Sequence, residues 1–268
     1  MVTRARVVAL ALLWWSSAAG GGMLEISGSL TQGGMAIGRV TPGSTVSVGG
    51  QSLRVSPQGT FVVGFDRDAG PESILKVVYP DGGSERRRLE IARREYDIQR
   101  IDGLPPSQVS PGEEALKRIR REQALIDEAR RVDSPRTDFT ARFAAPVEGR
   151  ISGVFGSQRI LNGEPRRPHY GVDFAAPRGT PVKAPAPGRV TLVHNDMYFS
   201  GGTVILDHGH GISSVFIHLS RIDVDEGRRL DRGEVLGAVG ATGRATGPHL
   251  HWGVNWFDTR LDPQLLLD

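Results

Sequence analysis

The chain has 268 residues and seven histidines, at positions 169, 194, 208, 210, 218, 249 and 251. None precedes position 169, a clustering that fits one site built by one part of the chain. Three groupings among them could do chemistry. His249-Leu250-His251 sets two imidazoles two residues apart, which on a β-strand directs both to one face. His169-Tyr170-Gly171-Val172-Asp173 joins an imidazole to a carboxylate four residues on. On an extended strand those two groups would stand roughly 13 Å apart. Sharing one metal ion therefore needs a bend, which Gly171 makes inexpensive. His218 ends the apolar run Val215-Phe216-Ile217. Imidazole is the commonest side-chain metal ligand, and a catalytic zinc takes three nitrogen or carboxylate ligands and keeps one position open. Four histidines and one aspartate exceed that need, so the surplus imidazoles are available as general base and as donors to a transition state. The set suits hydrolysis by a metal-activated water, whose pKa zinc lowers to about 7. Nitrogen and oxygen ligation suits zinc and also admits manganese, nickel or iron.

The elements that must position these residues are mostly strands. Residues 141–268 carry many turns and short β-prone runs, among them Gly188-Arg189-Val190-Thr191-Leu192-Val193, Thr203-Val204-Ile205-Leu206 and Ser214-Val215-Phe216-Ile217-His218. The glycine-rich run before His249 reads as turns. His194, His208 and His210 read as residues satisfying local hydrogen bonds rather than as ligands. Upstream, residues 20–101 alternate β-prone runs, such as Thr60-Phe61-Val62-Val63 and Ile74-Leu75-Lys76-Val77-Val78, with turn signals such as Asp81-Gly82-Gly83. This predicts a small β-sandwich of a size that can fold alone. Arg86, Arg87, Arg88, Arg93 and Arg94 read as a solvated edge strand whose charges deter edge pairing. Residues 102–140 form a linker with a helix over about 111–131. Ser110-Pro111-Gly112-Glu113 has a helix-start signature. Glu113/Lys117, Glu114/Arg118 and Asp127/Arg131 are favourable i,i+4 pairs, and Leu116, Ile119, Gln123 and Ile126 mark a thin stripe that needs a neighbour. The overall expectation is a mainly β protein: a sandwich-like N-terminal domain, a linker helix and a C-terminal sheet domain.

Composition narrows the classes. Hydrophobic residues make up 38% and charged residues 24%, as in soluble globular chains. Residues 1–19 read as a signal peptide: Arg4 and Arg6, a short apolar run over 7–15, then small residues. The apolar run is shorter than the roughly 20 residues a membrane span needs, so no stable span is expected after cleavage. Without Arg4 and Arg6 the formal charge falls from +3 to +1, which gives no argument for nucleic acid. The absence of cysteine removes disulfides, a lipobox and thiol nucleophiles. No Gly-x-Ser-x-Gly elbow, phosphate-binding loop or His-Glu-x-x-His helix occurs.

Taken together, His169-x-x-x-Asp173, His218 and His249-x-His251 resemble the lysostaphin-type, LytM-like zinc peptidases. Neighbouring text agrees: Gly179-Thr180-Pro181-Val182, Asp207-His208-Gly209-His210-Gly211, His218-Leu219-Ser220 and Gly247-Pro248-His249-Leu250-His251-Trp252. The likeness covers about residues 143–262. It implies a barrel-like β-sheet domain with a groove, one Zn2+ held by His169, Asp173 and His251, and peptide cross-links of peptidoglycan as substrate. It also implies that His218 and His249 are a catalytic pair beside the water, with their roles as base and oxyanion donor left open. Asn162 stands where relatives often have an asparagine near the metal and reads equally as a turn residue with Gly163. Tyr198 reads as a groove-lining residue or a packing one. Phe216 replaces a tyrosine common in relatives without touching the chemistry.

The leading expectation is an exported zinc metalloendopeptidase, periplasmic rather than extracellular, acting on peptidoglycan peptide stems. The alternative is a non-catalytic regulator of other wall hydrolases, against which the complete constellation counts. The N-terminal domain and helix are expected either to occlude the groove or recruit a regulatory partner, or to serve as spacer and anchor.

Overall fold

The computed structural model describes residues 22–101, 112–161, 163–165 and 167–267. The expected leader, the Ser110-Pro111 helix start and Asn162 lie outside them. The N-terminal half is two antiparallel sheets. β1 (Leu24–Gly28), β2 (Met35–Val40) and β5 (Thr60–Gly64) form one, in the order β1-β2-β5. β3 (Thr45–Val48), β4 (Gln51–Leu53), β6 (Glu72–Val78) and β7 (Ser84–Glu90) form the other, in the order β4-β3-β6-β7. Alternation drives the packing: Val46, Val48, Leu75 and Val77 point inward to join Phe61 and Val63 in one core. β7 lies at the sheet edge with Arg86 and Arg88 exposed, the charged edge that the arginine run predicts.

This sandwich does not stand apart from the C-terminal half. Phe61 and Leu75 belong to the same buried cluster as Trp252, Trp256 and Leu261. Arg67, 6% exposed, donates from Nε to the Gly156 carbonyl at 2.9 Å. Arg94 pairs with the buried Asp262 at 2.8 Å. β8 (Ile98–Ile101) then leaves the sandwich and pairs in parallel with β10 (Gln158–Leu161), which also pairs with β11 (Glu164–Pro165).

The helix α1 runs Glu113–Arg130. Its N-cap is Gly112, with no side-chain cap bond. Ion pairs differ from the expected set: Lys117 reaches Glu114, and Arg118 reaches Glu122 at 2.6 Å and Asp196 at 3.1 Å. The expected stripe is kept in part: Ile126 packs on the sheet, and Ile119 and Gln123 are half-buried. Leu116 is 36% exposed, while Glu122, Ala129 and Arg130 are buried. Glu122 faces inward because the backbone N–H of Tyr198 donates to its Oε2 at 2.8 Å. No helix among the described residues is long and apolar enough to cross a membrane.

The C-terminal half centres on an eight-stranded sheet. Its strands are β9 (Arg150–Gly153), β12 (Val172–Ala175), β14 (Gly188–Met197), β15 (Gly201–Gly209), β16 (Ile212–Leu219), β18 (Arg229–Leu230) and β20 (His249–Trp256), in the order β18-β14-β15-β16-β20-β12-β9, with β21 (Thr259–Leu261) also on β20. A second sheet of β13 (Pro181–Lys183), β17 (Arg221–Ile222) and β19 (Val235–Ala238) completes the half, in the order β13-β19-β17. One face of the large sheet carries Val204, Leu206, Phe216, Leu250, Trp252, Val254 and Phe174 into the main core. The opposite face carries the chemistry.

Candidate metal centre

β20 alternates strictly. Leu250, Trp252 and Val254 are wholly buried in the core, so His249, His251, Gly253 and Asn255 share the other face. Across the ladder His251 lies opposite Asp173 of β12, and Asp173 lies opposite Gly153 of β9. On the other side His251 lies opposite Ile217 of β16, one residue before His218. Strand register alone therefore sets Asp173, His251 and His218 on neighbouring strands.

His169 lies outside the strand and folds back over it. Its backbone is fixed by bonds to Ser157 and Gly156, each at 2.8 Å. Its Nδ1 lies 2.9 Å from the Val154 carbonyl, which can only accept, so Nδ1 carries the proton and Nε2 keeps its lone pair. That Nε2 lies 3.0 Å from Asp173 Oδ1 and 2.9 Å from His251 Nδ1, and His251 Nδ1 lies 2.8 Å from Asp173 Oδ1. The bend expected at Gly171 is present, just before β12, and the glycine also provides room. A Cβ there would sit 2.6 Å from the His251 ring and from the Trp252 carbonyl. Gly153 does the same for Asp173, whose Oδ2 would lie 2.3 Å from a Cβ.

Three ligand atoms thus meet at one point, two nitrogens and one oxygen. Two imidazole nitrogens beside one carboxylate oxygen are a donor set that suits a divalent cation. Burial raises the Asp173 pKa, but the hydrogen bonds it accepts from His169 and His251 when those rings carry the extra proton outweigh it and hold the carboxyl well below its usual range. For His169 burial lowers the pKa, and Asp173 more than offsets it, leaving it raised. Burial leaves His251 lowered despite the same carboxylate. A tetrahedral ion with bonds of about 2.0–2.1 Å separates its ligands by roughly 3.3 Å, so these three need to part by only a few tenths of an ångström. The donor set and its spacing fit a zinc-sized ion.

The remaining two histidines stand together, ring centroids 4.7 Å apart. His218 Nδ1 meets the Thr242 carbonyl and His249 Nδ1 meets the Gly247 carbonyl, each at 2.8 Å. Both rings therefore present an unprotonated Nε2 when neutral. Burial pushes the His218 pKa down to about 4, against the Thr242 carbonyl, so His218 is neutral at pH 7. Its backbone is left-handed at φ +66°, rare for a residue with a side chain, and its N–H is held by Ser200 at 2.8 Å. The carbonyls of Val154, Thr242 and Gly247 are functional groups that side-chain reading misses, because every residue type carries one.

The other candidates separate cleanly. Tyr198 sits in the β14–β15 turn, 37% exposed, its ring stacked edge-on to Phe199 and near the Arg118 guanidinium of α1. His208 and His210 are buried, and neither belongs to the ligand cluster. The His194 ring accepts from the Asp196 N–H at 3.1 Å. α1 packs Ile126 and Ala129 against Leu192, Ile205 and Val215, with Ile217 alongside. Those strand residues lie on the face that carries His251, so the helix forms a wall beside the metal cluster.

Comparison with known proteins agrees with this geometry. The description "Peptidase family M23" matches residues 167–263, which span the whole cluster. Peptidoglycan DD-endopeptidase ShyA of Vibrio cholerae is 40% identical over 112 residues, covering 41% of this chain and 26% of ShyA. DD-carboxypeptidase/endopeptidase Mpg of Neisseria meningitidis is 43% identical over 106 residues, covering 40% of this chain and 24% of Mpg. The chain thus spans about a quarter of the length of these curated relatives. A crystal structure from Pseudomonas aeruginosa, assigned to peptidase M23, is 37% identical with a TM-score of 0.70, covering 89% of this chain and 95% of that one. On the match across the cluster and the likeness along nearly the full length of that structure, the chain belongs to peptidase family M23.

Proposed function

We propose that this protein is an exported zinc metalloendopeptidase that cuts the D,D-peptide cross-links of peptidoglycan. The observation that carries the reading is the convergence of His169 Nε2, Asp173 Oδ1 and His251 Nδ1, 2.8–3.0 Å from one another. One zinc ion held there supplies Lewis acidity to a scissile carbonyl and lowers the pKa of water. The chain's own residues do the rest. Val154, Thr242 and Gly247 fix the tautomers of His169, His218 and His249. Either His218 or His249 takes a proton from the attacking water at Nε2. The imidazolium so formed can then donate to the developing oxyanion or the leaving amine. The two relatives' names, each an endopeptidase, support the D,D specificity. The basic, apolar and small-residue order of residues 1–19 supports export, in this reading to the periplasm. Intact ligands and both histidines count against a purely regulatory role.

The test is digestion of purified peptidoglycan with the zinc-loaded chain and identification of the products by mass. The expected result is conversion of cross-linked to monomeric peptides, lost on chelation and restored by zinc. An unchanged product profile with zinc bound overturns the reading.

A further inference from the structure

Four residues beyond His251, the same face of β20 ends in a set of buried donors with no acceptor among the described residues. Asn255 is 1% exposed, and its Nδ2 has no partner. Its orientation is fixed, because Arg260 Nη1 donates to its Oδ1 at 2.7 Å. Arg130, the last residue of α1, is 8% exposed and its Nε has no partner. Ser213, opposite Asn255 on β16, is 3% exposed with an unpartnered Oγ. The Arg260 guanidinium lies 5.7 Å from the Tyr170 ring centroid. Burying donors without acceptors is costly, and a buried guanidinium without an anion more so.

Charge tells the same story. Burial is the main cause pushing the Arg130 pKa down to about 9, followed by repulsion from Arg260, with Arg167 adding to it. Burial also lowers Arg260, and Arg167 again repels it. Asp127 and Asp258 act in the opposite direction on both, and Asp127 Oδ1 accepts from Gln123 Nε2 at 2.7 Å. Among the described residues the three arginines act on one another here, and the Asp127 and Asp258 carboxylates offset them only in part.

We infer that Arg130, Arg167 and Arg260, with Asn255 and Ser213, form a subsite for a carboxylate of the peptide substrate. Guanidinium forks and an amide N–H match the two oxygens of a carboxylate. The subsite lies roughly 13 Å along β20 from His251, which three to four extended residues would span. The carboxylate is therefore remote from the bond that breaks, either a chain terminus or an acidic branch. It works by positioning, and α1 contributes a recognition residue rather than only a wall.

The inference rests on the peptidase reading, and one experiment separates the two. Cross-linked peptides are prepared with all carboxylates free, with the terminal carboxylate as carboxamide, or with the acidic branch as carboxamide. kcat/KM is measured with the zinc-loaded chain, and binding is measured with the His249→Ala variant, whose slowed turnover leaves the peptides largely intact over the measurement. One of the two amides is expected to lose about 10- to 100-fold in kcat/KM, mainly through KM, with a matching loss in binding. The exposed Arg167→Gln and the buried Arg130→Gln variants are expected to shrink that acid-to-amide ratio toward one, and Arg167→Lys to restore part of it. Equal cleavage and equal binding of acid and both amides overturns the carboxylate subsite. Discrimination unchanged in a folded, zinc-containing Arg167→Gln or Arg130→Gln variant overturns the assignment to these arginines. Neither cleavage nor binding of any of the peptides overturns the peptidoglycan reading instead.

Discussion

His208 and His251 lie on opposite faces of one sheet, both in buried surroundings, and they differ in what their ring nitrogens meet. His208 is wholly buried beside Phe143. Its Nδ1 meets the Pro187 carbonyl at 2.6 Å and its Nε2 meets Ser214 Oγ at 2.8 Å, so both nitrogens are spent on the fold. The groove histidines spend at most one. His169, His218 and His249 each give Nδ1 to a carbonyl, while His169 Nε2 and His251 Nδ1 converge on Asp173. Burial lowers the pKa of both His208 and His251, so a shifted pKa does not separate a structural histidine from a functional one. The fate of the second nitrogen does.

That contrast sets the size and kind of defect each substitution produces. His251→Ala removes one of three ligands and should lose the zinc, with turnover falling on the order of 10⁴-fold or more. Zinc analysis after dialysis, run beside a peptidoglycan assay, reads both. Retention of stoichiometric zinc by His251→Ala would sink the ligand assignment. His249→Ala leaves the three ligands alone, so zinc content should stay near native while turnover falls about 10²- to 10⁴-fold, the usual contribution of a positioned acid or base. If His249→Ala loses zinc as readily as His251→Ala, the division of labour on β20 is wrong.

The ligand set was legible in the sequence because it lies in residue types at short spacing. Alternation on one strand puts His249 and His251 on a face, and no other arrangement of Leu250 and Trp252 would bury them. The room for the ligands was less legible. Gly171 reads as a bend in sequence and is one in the structure, but the space a Cβ would take from the His251 ring has no mark in the sequence. The helix shows the same limit. Propensity places a helix over about 111–131, but beside Ile126 and Ala129 its inner side also carries Glu122 and Arg130, and the Tyr198 N–H that holds Glu122 there is a tertiary partner no local pattern shows. The arginine subsite draws on positions 130, 167 and 260, and no local pattern links residues so far apart. The three orienting carbonyls are invisible for a simpler reason: sequence names side chains.

On the core face the defects should be in stability alone. His208→Ala leaves a cavity, an unpaired Ser214 hydroxyl and an unpaired Pro187 carbonyl, which together cost roughly 2–4 kcal/mol. Zinc content and turnover per folded molecule should match native. Urea unfolding gives the first quantity, and a variant with native stability would show that the two hydrogen bonds contribute nothing net.

The smallest effect is the pH dependence that His208 confers. Burial is the dominant cause lowering its pKa to about 4, with the Pro187 carbonyl opposing; in the unfolded chain an imidazole titrates near 6.5. Between those values the unfolded state binds the proton and the folded state does not, so stability rises with pH across that interval. The contribution is fully present above about pH 6.5 and is lost as pH falls toward 4. From pH 7 to pH 5 the loss amounts to about 2 kcal/mol for this one group. His218, also lowered to about 4, adds a slope of the same sign, so the measurement must be a difference. Unfolding free energies of the native protein and of His208→Asn, taken at pH 7 and pH 5, isolate the His208 share. The native protein should lose about 2 kcal/mol more than the variant over that range. Parallel losses would mean that His208 accepts its proton without leaving the fold, and that the spent second nitrogen on the core face is less firmly bound than its 2.8 Å contact to Ser214 implies.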